Sequence, residues 1–288
     1  MLDQSLQHLV DRDVRAECLE DFSPCACLPF ETGVINVDCD QVPFTEIQAA
    51  FDRTTTTNLI RLFLTLFDTT TSSVPANILG SNRASEIWMT CLNRNFQLLV
   101  NGDGFLNSQT TATIVAMEGC SLDQINLAFL NNFSALYELI IRNSTFPAMS
   151  TLPALPSLYR LIVSNCQNFK TWGNPSLGSV HELYVHSNNL GDDVVSGILS
   201  SLLSSSNSLE SLYLQSNALT KVPDAVRSFT KLSTLNLNDN LIPVITTGSL
   251  AFSVPEVRYV RLEGISLNTI QAGAFQGIVT AKVCNKQV

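Results

Sequence analysis

Charge is scarce in this 288-residue chain: only 14% of its residues are Asp, Glu, Lys or Arg, about half the usual share of roughly 25%. Positive charge is scarcer still. Lysine and arginine number 16 against 25 acidic residues, a net charge of −9. Neutralising a nucleic acid backbone needs clustered positive charge, so nucleic acid is excluded as a partner. Histidine occurs three times, at His8, His181 and His186, which leaves little material for a Ser-His-Asp or Cys-His centre; no Gly-x-Ser-x-Gly elbow occurs either. No apolar run reaches the roughly 18 residues that crossing a bilayer requires. The best, Asn58 to Phe67, is short and broken by Arg61. The start, Met1 to Glu17, carries Asp3, Asp11, Arg12, Asp13 and Arg15 and lacks the apolar centre of a secretory signal. Either the chain stays inside the cell or the sequence begins after its signal.

The charge deficit is filled by serine, threonine and asparagine, a surface commoner outside the cell than in the cytosol. Hydrophobic residues make up 45%, enough for a sizeable core. Four of the eight cysteines, Cys18, Cys25, Cys27 and Cys39, fall within 22 residues. Such crowding in a segment too small for its own core points to disulfides in an oxidising compartment. A four-thiolate zinc site is the alternative, but such sites usually pair cysteines two to four residues apart, and only Cys25-Ala26-Cys27 comes near. Cys25 and Cys27 are too close to bridge each other comfortably, which leaves two pairings.

From Leu209 the chain reads Leu209-Glu-Ser-Leu212-Tyr-Leu214-Gln-Ser-Asn217-Ala-Leu219, and from Leu232 it reads Leu232-Ser-Thr-Leu235-Asn-Leu237-Asn-Asp-Asn240-Leu-Ile242. This resembles the leucine-rich repeat. Further copies start at Leu59, Ala84, Ala112, Leu136, Leu158, Val180 and Val257, with spacings of 25, 28, 24, 22, 22, 29, 23 and 25 residues, nearly all within the pattern's range of roughly 20 to 29. Alternation such as Leu212 and Leu214 around Tyr213 is a short strand with one buried face, stacked in parallel on its neighbours. One unit cannot bury its leucines; nine can. Eight residues into each copy stand Cys120, Ser144, Cys166, Asn188, Asn217 and Asn240, whose side chains can bond the backbone where the chain turns from the strand. Phe67, Leu92 and Ile265 depart from this rule. Asp192 to Leu203 has helical apolar spacing, whereas Val222-Pro223, Pro153, Pro156 and Pro175 favour extended or short-turn returns.

The expected fold is therefore an α/β leucine-rich repeat solenoid of about nine repeats, with a parallel concave sheet and a mixed convex side. Residues 1–17 form an N-terminal segment, 18–52 a cysteine-rich cap, 53–279 the repeats and 280–288 a tail. Val34 to Cys39 reads as a strand and Phe44 to Phe51 as an amphipathic helix. With the four cysteines they resemble the N-terminal cap of extracellular leucine-rich repeat proteins, although six residues between Cys18 and Cys25 exceed that family's common spacing. The cap's interleaved order in that family implies Cys18 with Cys27 and Cys25 with Cys39. At the other end only Cys284 is present, so the segment from Thr280 to Val288 or a partner has to cover it.

Other cysteines are read from strand spacing. Cys120 and Cys166 sit two copies apart, about 9.6 Å, beyond the roughly 7 Å limit for bridging; both are expected as free thiols. Cys91 lies one copy before Cys120 and one position out of register, which leaves room for a bridge. His181 and His186 are five apart on a strand, hence on opposite faces, and cannot share a metal. Asn101-Gly-Asp-Gly104 lacks the lysine that would cradle phosphate and reads as a turn. Asn132-Phe-Ser134 and Asn143-Ser-Thr145 fit the N-glycosylation rule, while Asn174-Pro175-Ser176 does not.

The outward position between the strand leucines is, in order, Phe63, Trp88, Ala116, Ile140, Ile162, Tyr184, Tyr213, Asn236 and Arg261. Rims of polar residues flank it: Arg61, Glu86, Glu138, Arg160 and Glu182 on one side, Thr90, Arg142, His186 and Gln215 among those on the other. An apolar strip with polar rims is the arrangement of an interface core, although strands favour aromatic and branched residues on either face. Phe63, Trp88, Ile140, Ile162, Tyr184 and Tyr213 are the predicted partner-binding residues, with another protein as the partner. No catalytic residue, cofactor or metal is expected. The cap motifs Cys25-Ala-Cys27 and Val37-Asp-Cys39, followed by irregular Ser- and Thr-rich repeats without a four-cysteine end cap, resemble the non-catalytic subunit of crustacean luciferin 2-monooxygenase and its non-luminous relatives. That resemblance implies a secreted, partner-binding subunit. The alternative is an ectodomain-like recognition module for microbial or matrix ligands.

Overall fold

The computed structural model describes residues 18, 21–67, 72–146, 152–171, 173, 177–252, 259–276 and 282–284. The segment 1–17, the start of the last copy at Val257, the 174–176 tripeptide and most of the 280–288 tail lie outside them. Among the described residues one twelve-stranded sheet runs from Ala26 to Cys284. Its strands are β1 (Ala26–Glu31), β2 (Val34–Asp40), β3 (Leu59–Leu66), β4 (Ala84–Cys91), β5 (Ile114–Glu118), β6 (Glu138–Arg142), β7 (Arg160–Ser164), β8 (Glu182–His186), β9 (Ser211–Tyr213), β10 (Thr234–Asn236), β11 (Tyr259–Arg261) and β12 (Lys282–Cys284). Strand β1 pairs antiparallel with β2; from β2 onward each strand pairs in parallel with the next. Each predicted copy supplies one strand, and the architecture is a leucine-rich repeat solenoid.

Strand alternation does the burying. In β3, Ile60, Leu62, Leu64 and Leu66 are buried and the residues between them are half-exposed, and the same inward rows stack from repeat to repeat into a continuous core. Returns on the other side are mixed. Helix α2 (Asp192–Ser201) occupies the longest copy, short 3-10 turns occupy Leu127–Leu130 and Asp224–Ser228, and Ser72–Val74 pairs in parallel with Leu98–Val100. Asn101 to Gly104 forms a turn, with the Asp103 amide donating to Asn101 Oδ1 at 3.2 Å.

At the N-terminal end β1, β2 and helix α1 (Phe44–Arg53) close the core. Helix α1 buries Ile47, Ala50 and Phe51, and Phe22 packs on Phe51 with ring centroids 5.3 Å apart. Disulfides join Cys18 to Cys27 and Cys25 to Cys39, the pairing that the cap resemblance implies. At the far end β12 adds a parallel strand to β11, so the backbone of 282–284 extends the sheet.

A third disulfide overturns one expectation. Cys120 is not a free thiol: it is bonded to Cys91, with Cα atoms 5.0 Å apart. The reason lies one residue earlier in each repeat. In the seven copies from Ala112 on, the residue seven places in is left-handed: Gly119, Asn143, Asn165, Ser187, Ser216, Asp239 and Gly264 all have φ between 52° and 71°. Short polar residues and glycine tolerate that region best. The first two copies place Leu66 and Cys91 there, and the chain stays extended through both. Their side chains therefore remain inward and buried, which carries the Cys91 sulfur to Cys120. Gly119 completes the fit, since a Cβ there would lie 2.5 Å from the Cys91 carbonyl oxygen. Cys166 is free and buried, as expected.

Candidate functional site

The concave face is built by register. Strand pairing places Phe63 beside Trp88, then Ala116, Ile140, Ile162, Tyr184, Tyr213, Asn236 and Arg261 in one row. All nine predicted outward residues are thus brought together. Sequence reasoning missed the row's extension to Asp38 at the cap. It also missed Phe30, which is exposed beside Arg61, the guanidinium lying 4.1 Å from its ring centroid. The repeat pattern could not reveal Phe30, because β1 is antiparallel and belongs to no repeat.

The row is not uniformly open. Ala116, Ile140 and Ile162 are only 2%, 5% and 5% exposed and form a small cluster of their own, with Trp88, Ile114 and Tyr184 packed around it. Parallel strands hold in-register side chains about 4.8 Å apart, so adjacent branched residues cover each other. The stripe therefore divides into two accessible ends. Toward the cap, Phe63 stacks on Trp88 with centroids 6.2 Å apart, and Trp88 Nε1 donates to Glu86 Oε2 at 2.9 Å. Glu86 also pairs with Arg61 at 3.0 Å. Toward the C-terminus, Tyr184 and Tyr213 stack face to face, 4.2 Å apart and within 4° of parallel.

Along one rim, Arg160 bridges Glu182 at 2.7 Å and Glu138 at 3.3 Å. The Glu182 hydrogen bond holds the guanidinium protonated above its usual range. Tyr184 donates its hydroxyl to the same Glu182 carboxylate at 3.1 Å, and burial followed by that negative charge raises its pKa, which keeps the phenol neutral. On the opposite rim His186 sits with its pKa lowered by burial and by Arg142. Between these rims lies a shallow basin of about 500 Å³ reaching from Glu138 and Arg142 to Asn236 and Arg261.

Behind the concave face, the polar side chains eight residues into each copy form a ladder. Asn217 carries the most bonds: its Nδ2 donates to Val185 and Leu214 carbonyls at 2.8 and 3.0 Å, and its Oδ1 accepts from the Asn188 and Leu190 amides at 3.2 and 3.1 Å. Asn188 Oδ1 accepts from the Cys166 amide at 2.7 Å, and Asn240 repeats the pattern one repeat later. Burial lifts the Cys166 thiol to about 11. Such a thiol is a poor nucleophile at neutral pH.

Other singled-out residues lie elsewhere. His181 stands on the lateral edge in a stack with Tyr159 and Tyr137, at centroid distances of 4.5 and 4.8 Å, away from His186 on the concave face. Among the described residues no group of three His, Cys, Asp or Glu side chains could hold a metal ion. Asn132 is exposed, whereas Asn143 is half-buried and hydrogen-bonded, its Nδ2 donating to Glu118 at 2.9 Å. No helix among the described residues is long and apolar enough to cross a membrane.

Comparison with known proteins adds little beyond this geometry. No family model matches the chain, and no curated protein matches it. Among solved structures it is similar to a leucine-rich repeat protein of Leptospira interrogans, 16% identical with a TM-score of 0.43, the match covering 74% of this chain and 65% of that one. It is also similar to an internalin of Listeria monocytogenes, 13% identical with a TM-score of 0.38, covering 88% and 87%. Likeness at this level says nothing of what the chain binds. The in-register parallel strands, the left-handed turn that recurs from the third repeat onward and the buried asparagine ladder define the chain as a leucine-rich repeat solenoid with a disulfide-bonded N-terminal cap.

Proposed function

We propose that this chain is a non-catalytic binding scaffold that takes another protein on its concave face, in an oxidising extracellular setting. The observation that carries the reading is the nine-residue row, apolar or aromatic over seven strands and flanked by charged and polar rims. Buried aromatics dominate interface energetics, so Trp88 near the cap and Tyr184 with Tyr213 near the C-terminal end are the proposed anchors. Three disulfides among the described residues support the compartment. N-glycosylation is proposed at Asn132 and at Asn143; the latter's nitrogen has to leave Glu118 first.

The resemblance to the luciferin 2-monooxygenase family makes the finer version a non-catalytic subunit that stabilises a larger partner by linkage. In that case removing the chain lowers the partner's melting temperature and leaves its chemistry alone. The test of the scaffold reading is affinity capture from the native source under mild salt, with the wild-type chain and the Tyr184→Ser/Tyr213→Ser variant compared by mass spectrometry. One stoichiometric protein, held at least tenfold more weakly by the variant, about 1.4 kcal/mol, is the expected result. Circular dichroism checks that the variant folds, since Tyr184 packs against the Ile140–Ile162 cluster. Unchanged capture by a folded variant overturns the concave site and turns attention to the lateral Tyr137–Tyr159–His181 stack.

A further inference from the structure

We propose that the C-terminal end of the concave face is a carboxylate-binding basin, and that the partner inserts an acidic residue flanked by an aromatic side chain there. This deepens the scaffold reading and rests on it. In a chain of net charge −9, the basin gathers cations that its own acids leave free. Arg160 is taken up by Glu138 and Glu182. Arg142 and Arg261, which line the same basin, make no ion pair among the described residues, although an arginine fork is suited to receiving a carboxylate.

Position explains why the space beside Arg142 is open, with Arg261 five strands along at the far end of the basin. On the rim row Arg142 pairs with Ser164, and Ser164 pairs with His186. A serine between an arginine and a histidine leaves a notch two strand spacings wide, about 9.6 Å. Arg142 borders the notch and carries a long side chain able to close on a small anion. Ile162 and the flat Tyr184–Tyr213 pair line the adjoining side, a surface on which an aromatic ring stacks. Gln215, also lining the basin, is half-exposed, but its Oε1 is buried without a hydrogen-bond partner. A buried acceptor of that kind costs free energy until it meets a donor, and a turn of the side chain toward the basin brings it to the backbone N–H of an inserted peptide. Charge, shape and the unmet acceptor thus fit a peptide with one carboxylate and one ring.

The probes are acetyl-Phe-Asp-Phe-amide and its Asp→Asn counterpart, titrated into the full chain and followed by NMR of the histidine ring protons. Expected are a shift of the His186 resonances with His181 unmoved, binding at least fivefold weaker for the Asn peptide, and a similar loss for Arg142→Gln with the Asp peptide. Arg142→Lys, which keeps the charge and loses the fork, should fall between. Equal binding of the two peptides, or Arg142→Gln indistinguishable from wild type, overturns the basin. The scaffold reading fails separately. If Tyr184→Ser/Tyr213→Ser loses the native partner while Arg142→Gln holds it at full strength, the concave site stands and the carboxylate basin falls.

Discussion

The two halves of this solenoid solve the same problem by different means. At each strand end the chain has to leave the sheet while its backbone amides and carbonyls remain buried, and buried polar groups have to be paired. From Ala112 on a left-handed residue turns the chain, and in the copies carrying Ser144, Asn188, Asn217 and Asn240 a polar side chain one place later bonds the adjacent repeat. In the first two repeats neither device is present. Strands of eight residues extend the backbone pairing instead, and the disulfide Cys91–Cys120 ties the second repeat to the third, while Cys25–Cys39 lies within the cap on which the first repeat stacks. One half is held by a side-chain ladder and the other by longer strand pairing with a disulfide at its border, and the lesson is that the repeat tolerates loss of its ladder where longer strands and an oxidised cysteine pair replace it.

That contrast is broken most severely at Asn217. Alanine there takes the Asn217 partner from the Asn188 and Leu190 amides and the Val185 carbonyl, while the Leu214 carbonyl keeps Asn240 Nδ2, and at about 1 to 3 kcal/mol for a buried unsatisfied group the expected loss is about 4 kcal/mol, read from urea unfolding. Replacing Cys91 and Cys120 together by serine should cost about 3 kcal/mol, and non-reduced peptide mapping of the wild-type chain should recover Cys91 linked to Cys120. Mapping that finds Cys120 unlinked removes the covalent half of the comparison. A smaller effect is expected for Cys166→Asn. This cysteine occupies the ladder position in which Asn188, Asn217 and Asn240 succeed it, and its sulfur lies 3.5 Å from the Ile141 carbonyl that an asparagine nitrogen would meet. The variant should gain up to about 1 kcal/mol, one hydrogen bond's worth; a loss would mean that the polar ladder ends where the asparagines do.

The smallest effect is on pH dependence. His186 has its pKa lowered from 6.5 in the folded chain, so below pH 6.5 the unfolded state takes up the proton more readily and stability falls as pH falls. His186→Gln should flatten the melting temperature between pH 6.5 and pH 5 relative to wild type. A steeper slope in the variant would mean that the folded state stabilises the imidazolium.

Much of this was legible without coordinates because the repeat is a local pattern. The alternation of inward and outward residues depends only on strand pleating, so Leu212, Tyr213 and Leu214 declare their faces by themselves, and repeating the count places the whole row from Phe63 to Arg261. The ladder position was legible for the same reason, and so was helix α2. What tertiary structure alone decided depends on where successive repeats leave the sheet and on what lies beside them. Cys91 reaches Cys120 because its repeat does not turn at the seventh residue. Ile140 and Ile162 are covered because they stand in register beside each other, with Trp88, Ile114 and Tyr184 packed around them. Phe30 joins the concave face because an antiparallel strand outside the repeat brings it to Arg61. Periodicity fixes which way a side chain points, whereas bonding and exposure depend on distances between chain segments about 24 residues apart or more, and those distances exist only once the solenoid has closed.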